Sequence, residues 1–86
     1  MISIAQLCME LAKEKANLSK NSSRIERERA NVQESIQLTQ SFFSDQKTGQ
    51  DIIRLLSIVQ NDLIRADNAL YALGSELTTY IADLQK

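Results

Sequence analysis

The chain has 86 residues, no proline, two glycines, no histidine, one cysteine and a formal net charge of −1. Such a chain builds one small domain at most. It holds no internal disulfide and no four-ligand Cys/His zinc site, and its balanced charge argues against a general electrostatic grip on nucleic acid or anionic lipid. With no proline and little glycine, long uninterrupted helices are favoured, because a proline inside a helix costs about 3 kcal/mol.

Ser3 followed by Gln6 has the capping-box spacing, so helix one is expected from about residue 3 to about residue 43. Ile4, Leu11, Leu18, Ile25 and Val32 recur every seven residues. Their companion line is poor, since it carries Glu14, Asn21 and Glu28, and the apolar stripe broadens again at Val32, Ile36, Phe42 and Phe43. Cys8 lies in the apolar context Leu7-Cys8-Met9-Glu10-Leu11 and reads as a small hydrophobe. A break is conceivable at Asn21-Ser22-Ser23, where Ser23 and Glu26 again have capping-box spacing, but the unbroken phase from Leu18 to Ile25 favours continuity. Lys13, Lys15, Lys20, Arg24, Arg27 and Arg29 are interleaved with Glu14, Glu26 and Glu28 and come without aromatic or groove-reading motifs. A solvated helix face with short-range ion pairs accounts for them better than a nucleic-acid contact.

The punctuation of the chain is Ser44-Asp45-Gln46-Lys47-Thr48-Gly49-Gln50, which predicts a turn at about residues 44–50. Thr48 and Asp51 have capping-box spacing, so helix two is expected over about residues 51–85. Its ten seam residues alternate at steps of four and three: Ile52, Leu56, Val59, Leu63, Ala66, Leu70, Leu73, Leu77, Tyr80 and Leu84. A strict seven-residue repeat keeps such side chains on one slowly drifting line. Gly74 sits inside this helix, and the in-register Leu73 and Leu77 on either side say that the helix continues.

The expected fold class is all-α: two long antiparallel helices, each about 55 Å at 1.5 Å per residue, forming a coiled-coil-like helical hairpin. Helix two offers more apolar surface than helix one can cover. Near the turn it is apolar nearly all round, through Ile52, Ile53, Leu55, Leu56, Ile58 and Val59. A two-helix hairpin has little interior, so assembly into a four-helix bundle is expected, with the ten seam residues inside the hairpin. Phe42, Phe43, Ile53, Leu55 and Ile58, together with Leu18 and Ile25, are then expected to meet a second chain.

No catalytic arrangement is legible: there is no histidine base and no Gly-rich phosphate loop. Asp62, Asp67, Glu76 and Asp83 read as solubilising acids on helix two. The expectation is a protein that is not an enzyme and has no cofactor, no metal and no membrane span. The N-terminus does not read as a Sec signal peptide, which suggests synthesis in the cytoplasm.

Two long helices, a short central turn containing Gly49 and the stretch Asn68-Ala69-Leu70-Tyr71-Ala72-Leu73-Gly74-Ser75-Glu76-Leu77 resemble the WXG superfamily of small type VII secretion proteins. Within that group the chain looks most like the small helical proteins that accompany LXG toxins. The family's Trp-x-Gly turn is missing, and Tyr80 is followed four residues later by Leu84 where the family's tail signal has an acid. The resemblance implies an adaptor, targeting factor or chaperone that binds the helical N-terminal domain of a toxin and is co-exported with it. Two other classes fit the same residues: a small helical immunity protein, and a homo-oligomeric structural coiled coil.

Overall fold

The structure is a computed structural model that describes every residue except Met1 and Ser44. Two helices, α1 (Ile4–Phe43) and α2 (Lys47–Leu84), fold back on each other as a single hairpin, and the described residues contain no strand. The rod measures 62 × 19 × 14 Å. Its radius of gyration is 19.2 Å, against about 12 Å for a compact domain of this length. A shape this extended has no room for a central core.

Helix α1 starts as its sequence predicts. The Ser3 N–H donates to Gln6 Oε1 at 3.0 Å, and the Gln6 N–H donates to Ser3 Oγ at 3.1 Å. These reciprocal bonds satisfy donors that the first turn would otherwise leave open. The helix then runs unbroken through Asn21-Ser22-Ser23, which excludes a third helix there.

The turn is shorter than expected. Helix α2 begins at Lys47, not near Asp51, so Gly49 and Gln50 are already helical. The N-cap is Gln46, in extended conformation and without a side-chain cap bond, so the Thr48–Asp51 box does not form the helix start. Asp51 instead pairs with Arg54 at 3.2 Å. The expected first turn residue, Ser44, lies outside the described residues. Gly49 explains the tight reversal. It is the one fully buried residue described, and a Cβ on it would overlap the carbonyl oxygen of Phe43. Only glycine lets the first turn of α2 lie so close to the end of α1.

Two bonds across the hairpin set its register. Ser22 Oγ donates to Asp67 Oδ1 at 2.5 Å, and Gln60 Nε2 donates to the Arg29 carbonyl oxygen at 3.2 Å. From Ser22 to Arg29 is one heptad forward, and from Asp67 to Gln60 is one heptad back, as an antiparallel pair requires. The same steps set Ile36 opposite Ile53, Lys15 opposite Gly74 and Cys8 opposite Ile81. Between these layers the leucine line of α2 meets the apolar line of α1. Leu63, Leu70 and Leu77 stand at the levels of Ile25, Leu18 and Leu11, and all six are half-buried.

Candidate partner-binding face

Rotation of α2 about its own axis decides what the hairpin leaves over. Of the ten seam residues, Leu56, Leu63, Leu70, Leu77 and Leu84 are half-buried against α1. The other five face outward: Ala66 is exposed, and Ile52, Val59, Leu73 and Tyr80 keep 42–49 % of their surface in solvent. The companion line that meets α1 is Ile53, Gln60, Asp67, Gly74 and Ile81, all half-buried. The apolar stripe is therefore split along its length, one half inside the hairpin and one half outside.

The cause lies on α1. Its apolar line has two flanks. One carries Cys8, Lys15, Ser22, Arg29 and Ile36; the other carries Leu7, Glu14, Asn21, Glu28 and Ser35. Turning the second flank inward would set Glu14 and Glu28 against Leu73 and Val59 with no base at hand, and an unpaired carboxylate is costly to bury. Turning the first flank inward lets Ser22 meet Asp67 and lets Gln60 reach the Arg29 backbone, while Gly74 leaves space beside Lys15.

The hairpin consequently has two unlike sides. An open groove on one side is lined by Ser19, Ser23 and Glu26 from α1 and by Tyr71, Ser75 and Thr78 from α2. At about 100° per residue, the opposite side presents the Glu14/Glu28 flank of α1 and the Ile52, Val59, Leu73, Tyr80 line of α2. Near the turn that side is strongly apolar. Leu38, Phe42 and Leu55 are 53 %, 72 % and 60 % exposed there, next to Ile52 and Val59, while Ile58, 51 % exposed, lies further round on the line that continues through Arg65. Phe43, 49 % exposed, stands beside Phe42 with ring centroids 6.4 Å apart.

The seven residues expected at a partner surface thus separate. Phe42, Phe43, Leu55 and Ile58 are exposed. Leu18, Ile25 and Ile53 are half-buried between the helices, where they hold the hairpin together. Leu38 was not singled out from sequence, although its position four residues before Phe42 was a usable signal. The expectation of an inside position fails for Ile52, Val59, Ala66, Leu73 and Tyr80, because a four–three pattern does not say which companion line turns inward.

No apolar side chain among the described residues reaches full burial. Among the described residues the ion pairs are Lys13–Glu10, Arg54–Asp51 and Lys86–Asp83; each joins residues three apart and is exposed to solvent, so they add little to holding the helices together. The bases of residues 13–29 are dispersed around α1: Lys15 and Arg29 lie on the line toward α2, Arg24 toward the apolar side, and Lys13, Lys20 and Arg27 on the outer edge. Among the described residues no helix is long and apolar enough to cross a membrane. Among the described residues no group of three or more Cys, Asp or Glu could hold a metal ion. No protein-family model, curated protein or solved structure matches the chain.

Proposed function

We propose that this chain is a non-catalytic helix-binding protein, one half of a four-helix bundle that a helical partner completes. The partner in this reading is the helical N-terminal domain of a type VII-secreted toxin, for which the hairpin serves as adaptor or chaperone. One observation carries the helix-binding part: the outer half of the α2 stripe is exposed on a single side while no apolar side chain of the described residues is buried. In a four-helix bundle each helix turns one flank to its hairpin neighbour and the other to the facing hairpin. The flank with Ile53, Gln60 and Asp67 is used in this way, and the flank with Leu55 is free for the second role. The toxin part is supported by the two-helix architecture shared with the WXG superfamily.

Co-expression with the helical domain of an LXG toxin tests it. A stable complex is expected by size-exclusion chromatography with light scattering. Leu55→Glu with Val59→Glu should abolish the complex and leave the helicity of the hairpin intact, because neither residue faces α1. A wild-type chain that melts as a stable monomer and binds no helical toxin domain would overturn the reading.

A further inference from the structure

The outward side carries charge as well as apolar surface, and acids outnumber bases on it. Glu14 and Glu28 of α1 lie on it, as do Asp62 and Glu76 of α2. All four are exposed, and none takes part in an ion pair. Glu10 and Asp83 lie there too, each paired with a lysine three residues on at 3.2 and 3.3 Å. Arg24 is the one base on these lines among the described residues. The register gathers the unpaired acids into two rungs. Glu14 and Glu76 share one level; Glu28 and Asp62 share another, about 21 Å further along the rod at 1.5 Å per residue.

We infer that this face takes a helical partner whose apolar stripe is bordered by lysine or arginine, and that it rejects a second copy of this chain. The inference rests on the helix-binding reading above and adds the chemistry of the partner. Area sets the scale. The hairpin exposes 6609 Å², against about 5,100 Å² for a typical monomer of 9.7 kDa, and the surplus of about 1,500 Å² exceeds the roughly 800 Å² that each partner contributes to a standard interface. Charge sets the occupant. Two copies laid face to face in parallel put each acidic rung onto its counterpart. Laid antiparallel in full overlap, each rung is offset by about 9 Å along the axis from the other copy's unlike rung, so acids again stand nearest to acids of the facing copy's rungs. Either way carboxylates lose water beside an apolar contact, and Arg24 is the one base on these lines among the described residues to set against four unpaired acids in each copy. A partner with bases at those two levels removes the repulsion and pairs with all four acids.

A charge-reversed copy of the chain supplies that chemistry as a defined probe: Glu14→Lys, Glu28→Lys, Asp62→Lys and Glu76→Lys. These positions are exposed and unpaired, so circular dichroism should find the copy as helical as the wild type. Sedimentation of the mixture at 50 mM salt should show a one-to-one heterodimer at least tenfold tighter than the self-association of either chain. The advantage should shrink at 500 mM salt. A neutral copy, with Glu14→Gln, Glu28→Gln, Asp62→Asn and Glu76→Gln, should self-associate at least tenfold more tightly than the wild type and keeps the test open if the reversed copy does not fold. If wild type pairs with itself as tightly as with the reversed copy, the charge rule falls and the helix-binding reading survives. If helical, monomeric chains fail to associate in every mixture, the charge rule falls, and the helix-binding reading is decided by the toxin-domain complex.

Discussion

Gln60 Nε2 donates to the Arg29 carbonyl oxygen at 3.2 Å, while Gln60 Oε1 and Arg29 Nε, an acceptor and a donor in the same layer, are both buried without a partner. The hairpin therefore carries an uncompensated polar layer a third of the way down its seam. An unsatisfied buried acceptor costs about 1–3 kcal/mol, which outweighs the net value of one ordinary hydrogen bond. Gln60→Leu removes the orphaned oxygen and continues the apolar contact from Ile53. It is expected to stabilise the isolated hairpin by about 1 kcal/mol, read as a higher urea midpoint by circular dichroism. A lower midpoint would mean that the bond to Arg29 is worth more than the orphan costs.

The two glycines should respond in opposite directions. Gly49→Ala drives a methyl group into the Phe43 carbonyl at the tightest point of the reversal and should cost about 1–3 kcal/mol through backbone displacement. Gly74→Ala meets nothing within 4 Å and should stabilise by up to about 1 kcal/mol through helix propensity. Thermal melts of the two variants beside wild type check both. Equal effects of the same sign would contradict this packing.

Leu63 and Leu73 both belong to the regular stripe but lie on different sides of it. Leu63 is half-buried against α1; Leu73 is 48 % exposed. Leu63→Ala should cost the isolated hairpin about 1–2 kcal/mol, below the range for fully buried leucine. Leu73→Ala should change it by about 0.5 kcal/mol or less. With a helical partner bound, the order should narrow or reverse, because Leu73 then gains the contact it lacks alone. Denaturation with and without partner measures this; a large loss at Leu73 in the free hairpin would place the inward line differently.

Ser22 and Asp67 make a direct side-chain bond between the helices. It is charge-assisted and part-buried, so a double-mutant cycle with Ser22→Ala and Asp67→Ala should show a coupling of about 1 kcal/mol. The same cycle on Glu10 and Lys13, whose side chains are 60 % and 66 % exposed, should give a coupling near the bottom of the range for surface pairs. Comparable couplings would indicate that the central layer is as wet as the surface.

Sequence alone determined the two helices, their antiparallel return and the leucine line as a contact line. Local causes suffice for these: capping by Ser3 and Gln6, the lack of proline, a polar break before Gly49, and a repeat of seven that keeps Leu56 to Leu84 on one side. The exposure of Phe42, Leu55 and Ile58 was legible for the same reason, since they lie too far round their helices for one neighbour to cover. The start of α2 at Lys47 was not legible, because it depends on the close approach of Gly49 to Phe43. The side to which Val59 and Tyr80 turn was not legible either. A four–three pattern marks a stripe, and a single neighbouring helix covers only part of it. Which part is covered was decided by α1, where Glu14 and Glu28 cannot be buried against leucine, Ser22 meets Asp67 and the Arg29 backbone carbonyl accepts from Gln60. That choice needs both helices in register, so it belongs to the tertiary structure.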